Sequence, residues 1–205
     1  MRLNQVKKMV FTSSSTVYGD AGVIPVTEDH GRLLPISLYG ASKLGSEGLI
    51  SAFCHLFNMQ GWIFRLANVV GSRLTHGVIF DFINKLKQNP GQLEILGDGS
   101  QQKPYLHVND CISGILFSVE YSNQALNVFN LGTSSSTSVV TIANMVAKTM
   151  GLDDVEFKYT GGSRGWLGDV PQVRFDITKM SRLGWEPRYT SDEAVQQAVA
   201  GILGK

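Results

Sequence analysis

The sequence predicts an α/β fold built on a parallel sheet, and three observations carry that expectation. Met9-Val10-Phe11 and Trp62-Ile63-Phe64 are apolar on both faces, as strands buried on both sides of a sheet must be. Longer stretches with apolar residues at helical spacing lie between such runs. Helix and strand also alternate at the interval of βαβ units.

Along the chain, residues 6–12 read as a strand that enters the hydroxyl cluster Ser13-Ser14-Ser15-Thr16. A helix follows from Ser37 or Tyr39 to about Met59, with Leu44, Leu49, Ile50, Phe53 and Phe57 as its apolar stripe and Gly61 as its end. Residues 62–66 are the next buried strand. A helix over residues 78–88 stops at Asn89-Pro90-Gly91. Residues 97–100 form a turn and 104–108 an extended piece, after which Asn109-Asp110 can cap a helix running to about Glu120. Residues 126–131 return as a strand. Ser138 or a neighbouring hydroxyl caps a helix over 139–150, and Gly151 stops it. The tail reads as a strand near Phe157, a loop over 161–170, a strand at 173–175, a short helix capped by Asp176 and ended by Gly184, and a last helix capped by Ser191. No repeat, linker or low-complexity segment interrupts this order.

The 205 residues are 43% hydrophobic and 17% charged with a formal net charge of +1, which gives no electrostatic case for nucleic acid or an anionic membrane as partner. No apolar run approaches the ~18 residues of a membrane span. Cys54 and Cys111 lie in apolar helix-like stretches and read as free buried thiols of a reducing compartment. The basic N-terminus runs into a strand and polar hydroxyls, which is not a signal-peptide pattern, so a cytoplasmic location is expected. His30, His55, His76 and His107 share no metal-ligand spacing and read as structural.

Chemistry concentrates at Tyr39 and Lys43. Four residues apart on a helix, they share one face. An ammonium beside a phenol favours the phenolate, which makes a group able to exchange a proton near neutral pH. The alternative is a surface tyrosine with a chance lysine one turn on. A dinucleotide site adds a glycine-rich turn between its first strand and first helix, and here Ser13–Thr16 stand after the first strand instead.

The order of motifs extends well beyond that pair. It comprises Phe11-Thr12-Ser13-Ser14-Ser15-Thr16-Val17-Tyr18-Gly19, Tyr39-x-x-x-Lys43, Arg65-x-x-Asn68-Val69-Val70-Gly71 and Gly97-Asp98-Gly99-x-Gln101. Leu106-His107-Val108-Asn109-Asp110, Phe129-Asn130-Leu131-Gly132, Arg164-Gly165-Trp166-x-Gly168-Asp169-Val170 and Leu183-Gly184-Trp185-x-Pro187 complete it. In these motifs the chain resembles the extended short-chain dehydrogenase/reductase family, and within it the NAD-dependent nucleotide-sugar epimerases and dehydratases. UDP-glucose 4-epimerase is the nearest activity.

The resemblance implies the C-terminal part of a doubly wound parallel (Rossmann-type) sheet plus a smaller mixed α/β substrate-binding lobe. Residues 1–75 and 105–133 would belong to the NAD-binding domain, and 76–104 and 134–205 to the nucleotide-sugar lobe. Met1 would fall within a helix, with roughly 100 residues, about one mononucleotide-binding half, preceding it in a complete member. The 205 residues alone are then expected to bind NAD poorly, and the first strand to lie at a sheet edge.

Residue roles follow from the same resemblance. Tyr39 would be the base that takes the sugar 4-hydroxyl proton as hydride leaves C4 for NAD. Lys43 would hold the nicotinamide ribose, and Ser14 would share the proton with Tyr39. Ser13 and Ala67 would face the cofactor. Asn68, Val78 through its backbone N–H, Lys103, Arg164 and Asp169 would hold the nucleotide sugar, although Arg164 and Asp169 could equally tie down their loop. A homodimer through the Tyr39–Lys43 helix is also implied. Family dehydratases carry Asp-Glu directly after the active hydroxyl, where this chain has Ser15-Thr16, so epimerisation at C4 is favoured over 4,6-dehydration. Decarboxylation of a UDP-uronic acid, or a truncated fragment that binds sugar nucleotides without catalysis, remain the other readings.

Overall fold

The structure is a computed structural model, and it describes residues 1–22, 25–162, 165, 170 and 173–205. In chain order the elements are β1 (Lys8–Ser14), α1 (Leu38–Phe57), β2 (Gln60–Leu66), β3 (Asn68–Val70), α2 (Val78–Gln88) and β4 (Gln92–Ile95). Next come β5 (Gln102–Lys103), β6 (Tyr105–His107), α3 (Val108–Tyr121), β7 (Leu126–Leu131), β8 (Thr137–Ser138) and α4 (Val139–Met150). β9 (Glu156–Tyr159), α5 (Thr178–Leu183) and α6 (Ser191–Leu203) finish the chain, and a 3-10 turn, Ser15–Tyr18, follows β1 directly.

The chain packs as two compact units. The first comprises Met1–Ala67, Asn109–Gly132 and Phe175–Arg188; the second comprises Asn68–Val108, Thr133–Arg174 and Tyr189–Lys205. This division differs from the expected one at all three junctions, and it moves Phe175–Arg188 into the first unit. The contacts show why: Asp176 N–H donates to Val26 O at 2.9 Å, Lys179 Nζ to Val128 O at 2.7 Å, and Trp185 Nε1 to Ser113 Oγ at 3.0 Å. The strand expected at 173–175 is reduced, in its described residues, to a single bridge between Val26 and Phe175.

The first unit holds a parallel sheet in the order β1-β2-β7, as the alternation of helix and strand foretold. Lys8 pairs with Gln60 through to Ser14 with Leu66, and Gly61 with Leu126 through to Leu66 with Leu131. α1 starts where Ser37 Oγ accepts the Gly40 N–H at 3.0 Å and ends on Asn58 in the left-handed conformation. Its Ile50 and Cys54 pack with Met59 and Ile63 against Met9, Phe11 and Val128. Cys54 and Cys111 are both free and buried.

The second unit is an aliphatic core. Ile79, Ile83 and Leu86 of α2 meet Ile142 and Val146 of α4 and Val195 and Val199 of α6, all essentially without exposure. Three two-stranded ladders flank them: β3-β6 and β4-β9 are parallel, and β5-β8 is antiparallel.

Three helix starts depart from expectation. α5 follows Ile177 with no side-chain cap, and Asp176 Oδ1 accepts the Thr178 N–H at 2.8 Å. α6 is capped by Thr190, whose Oγ1 accepts the Glu193 N–H while the Glu193 carboxylate accepts the Thr190 N–H. Ser191 is instead fully buried, its Oγ accepting the Tyr105 N–H at 3.0 Å. α3 begins at Val108 directly after β6, so Asn109 and Asp110 lie inside its first turn; Asp110 is buried and accepts the Arg188 N–H at 3.1 Å. Among the described residues no helix is long and apolar enough to cross a membrane.

Candidate active site

In an open parallel sheet, ligands meet the chain at the carboxyl ends of the strands. Ser14 is the last residue of β1, and its Oγ accepts from Thr16 N–H at 3.3 Å and from Thr16 Oγ1 at 3.0 Å. A hydroxyl oxygen has two lone pairs and one proton. With both lone pairs engaged by Thr16, the proton is what Ser14 has left to offer.

Tyr39 is the second residue of α1 and 56% exposed. Lys43, one turn on, places Nζ 5.5 Å from the centre of the Tyr39 ring and 5.0 Å from that of Phe11. The ammonium donates one bond to Thr12 O at 2.8 Å, which anchors it to β1 two residues before Ser14. Phenol and ammonium therefore do share a face of α1, as their spacing requires.

Gly40 brings the first turn of α1 against the turn after β1. A Cβ at that position would lie 2.7 Å from Thr16 O and 2.9 Å from Pro35 Cβ, so only glycine permits the approach. Gly19, which closes the Ser15–Tyr18 turn at φ 60°, would drive a Cβ into the Leu34 carbonyl at 1.9 Å. These two glycines draw residues 14–19 and the start of α1 together.

Beneath that face runs a polar row that the sequence did not reveal. Ser13, Arg65 and Asn130 are in register across β1, β2 and β7. Ser13 Oγ donates to Glu47 Oε1 of α1 at 2.5 Å. Arg65 grips the same carboxylate through Nη2 at 2.7 Å and Nε at 3.1 and 3.2 Å. Its Nη1 donates to the Tyr18 hydroxyl and to Glu28 O, each at 3.0 Å. The Tyr18 hydroxyl then donates to Asn130 Oδ1 at 2.6 Å, and the Asn130 N–H donates to the Glu28 carboxylate at 2.8 Å.

Electrostatics follow from this burial. Burial pushes the Tyr18 phenol up to about 12, against the pull of Arg65, so it stays a neutral donor. Burial also raises the Glu28 carboxyl, partly offset by the Asn130 N–H. Burial draws the Arg65 guanidinium down, but its bonds to Glu47 and Tyr18 outweigh that and hold it above its ordinary value.

The other expected site residues belong to both units. Ser13 turns its side chain inward to Glu47, leaving its backbone to any cofactor. Ala67 is buried after β2, its N–H donating to Leu131 O at 3.0 Å. In the second unit, Asn68 is exposed at the start of β3. Val78 opens α2 behind Gly77, a start without a side-chain cap. Lys103 is half-buried at the end of β5, opposite Thr137. Arg164 and Asp169 lie outside the described residues. So does much of the glycine spacing Gly162-x-x-Gly165-x-x-Gly168 in the tail.

The class of protein is framed by a parallel α/β sheet with a hydroxyl at a strand end and a Tyr–Lys pair on the adjoining helix. Comparison with known proteins narrows it. The sequence profile of the NAD dependent epimerase/dehydratase family matches residues 1–132, and the chain belongs to that family. A UDP-glucose 4-epimerase of Mycolicibacterium smegmatis is 30% identical over 211 residues, which cover 100% of this chain and 65% of that protein. A crystal structure of UDP-galactose 4-epimerase, 38% identical, superposes with a TM-score of 0.86 over 99% of this chain and 65% of its own. The UDP-glucuronic acid 4-epimerase of Bacillus cereus, solved with UDP-glucuronic acid and NAD, is 26% identical with a TM-score of 0.82 over 96% of this chain and 62% of its own. The chain thus spans about two thirds of the length of these relatives.

NAD is the cofactor of this family. The donor set here suits its nicotinamide end: Lys43 has three N–H donors and spends one on Thr12, keeping donors for ribose hydroxyls.

Proposed function

We propose that this chain carries the catalytic residues of a nucleotide-sugar 4-epimerase acting on substrates of the UDP-glucose/UDP-galactose type. The supporting observation is that Lys43, beside Tyr39 on α1, bonds to Thr12 O two residues before Ser14, which Thr16 leaves as a proton donor. Bound NAD would supply the hydride chemistry needed at C4 of the sugar. Tyr39 takes the 4-hydroxyl proton, Ser14 donates its own hydroxyl proton as a hydrogen bond beside it, and Lys43 holds the ribose. Ser13 and Ala67 complete the cofactor side. In the second unit Asn68, the Val78 N–H and Lys103, with Arg164 and Asp169, hold the nucleotide sugar; an uncapped helix start is an apt place for a diphosphate.

Dehydration needs an additional acid and base. The two positions after Ser14 are hydroxyls, and Thr16 is committed to orienting Ser14, which favours simple epimerisation. On the outward side of α1, Leu49 and Leu56 are exposed, which supports a homodimer through this helix.

The test is turnover of a panel of UDP-sugars, with NAD added, by the longest product of the reading frame containing this chain. Interconversion of UDP-glucose and UDP-galactose that is lost in Tyr39→Phe is expected. Turnover of a UDP-uronic acid alone, with release of carbon dioxide, would replace this reading with the decarboxylase.

A further inference from the structure

Tyr39, Lys43 and Glu47 follow one another at intervals of four, so they form a single stripe along α1. The stripe is tied to the sheet at two levels one turn apart. Lys43 bonds to Thr12 O, and Glu47 receives Ser13 Oγ and the Arg65 fork. Arg65 reaches further still, because Nη1 also holds the Tyr18 hydroxyl, at the end of the turn that Ser14 begins. One guanidinium therefore touches both the helix that carries Tyr39 and Lys43 and the turn that carries Ser14.

Arg65 and Glu47 are 5% and 6% exposed. A buried ion pair is a poor source of stability, since apolar residues of similar volume do as well or better. What it offers is fixed geometry, through a planar two-point grip that a lysine or an aliphatic side chain does not reproduce.

The geometry points to Glu47 and Arg65 as positioning residues for the reaction proposed above: their ion pair sets the register of the Tyr39–Lys43 face of α1 against Ser14. The inference rests on that functional reading.

The decisive variant is Glu47→Gln combined with Arg65→Met, which removes both charges, keeps an acceptor for Ser13 and fills similar volume. Its melting temperature is expected at or above that of the unaltered protein. Its kcat is expected to fall ~10²-fold, as misplacement of about 1 Å does, with KM for the UDP-sugar within about twofold. Arg65→Lys, which retains the charge without the fork, is expected to leave kcat low. Acetylation of Lys43, followed by mass spectrometry on cofactor-free protein, is expected to run several-fold faster in the double variant.

Full recovery of kcat alongside stability in the double variant, recovery in Arg65→Lys, or a change confined to KM each overturns the inference. If the double variant does not melt cooperatively, Ser13→Ala gives the same reading at smaller amplitude; unchanged kcat and unchanged Lys43 labelling there overturn it. If the unaltered protein turns over no UDP-sugar, the functional reading fails. The labelling then decides the positioning role alone: faster labelling supports it, and equal rates overturn it.

Discussion

The two units differ in how much polar chemistry they bury. In the first, the layer between α1 and the sheet is crossed by Ser13, Arg65 and Asn130, with Glu47 and Tyr18 bonded above them. In the second, α2, α4 and α6 meet through isoleucine, leucine, valine and alanine. An aliphatic core is tolerant: side chains of similar volume exchange at modest cost, and helices can settle by small shifts. A charged, forked network has one good arrangement and a heavy penalty for others. The polar interior lies under the helix face that bears Tyr39 and Lys43, where small displacements matter for proton transfer.

The largest expected effect breaks the comparison at its chemical end. Tyr39→Phe should lower UDP-sugar turnover by ~10²–10⁴-fold, the range for loss of a general base, while leaving the melting temperature nearly unchanged, because the ring is already largely exposed. A matching fall in stability would show that the residue is structural.

Next in size are single truncations of the two interiors. Arg65→Ala strands the Glu47 carboxylate and should cost about 3–5 kcal/mol in denaturant unfolding. Leu86→Ala in the aliphatic core should cost about 2–5 kcal/mol through transfer and cavity. The contrast appears in repair: restoring volume with methionine should recover most of the loss at Leu86, but at Arg65 only when Glu47 is changed too.

A pH scan sharpens the contrast further. Burial raises the Cys111 thiol from 9.0 to about 11 and the Tyr18 phenol from 10.0 to about 12, both in the first unit. For groups raised in the folded state, the stabilisation is fully present below the unfolded value and is lost as pH rises through the folded one. Melting temperature should therefore decline from about pH 9 for Cys111 and from about pH 10 for Tyr18, ending near 11 and 12. Cys111→Ala should remove the earlier part of the decline. The smallest effect belongs to the second unit: Thr190→Ala, which breaks the capping box of α6, should cost about 1 kcal/mol.

Much of this was legible in the sequence, for local reasons. α2 and α4 fall where amphipathic spacing and caps put them, and the Tyr39–Lys43 face follows from helical geometry alone. The short ladders β3, β5 and β8 were not readable, since two or three residues carry no period. α6 starts one residue early because Thr190 and Ser191 are equally good caps in isolation, and only the buried Tyr105 N–H claims Ser191. The Ser13–Arg65–Asn130 row depends on the parallel register of three distant strands, which no local signal encodes. Arg65 stands within a recognisable motif, but no local signal marks Glu47 as its partner. The placement of Phe175–Arg188 is likewise long-range, set by Asn130, Val26 and Ser113.

The most direct measurement is proton NMR of UDP-glucose incubated with the protein and NAD in deuterium oxide. Epimerisation through Tyr39 and Ser14 predicts UDP-galactose that keeps its original hydrogen on C4, because hydride leaves and returns without meeting solvent. A 6-deoxy-4-keto product, solvent deuterium on a sugar carbon, or undiminished conversion by Tyr39→Phe would contradict it.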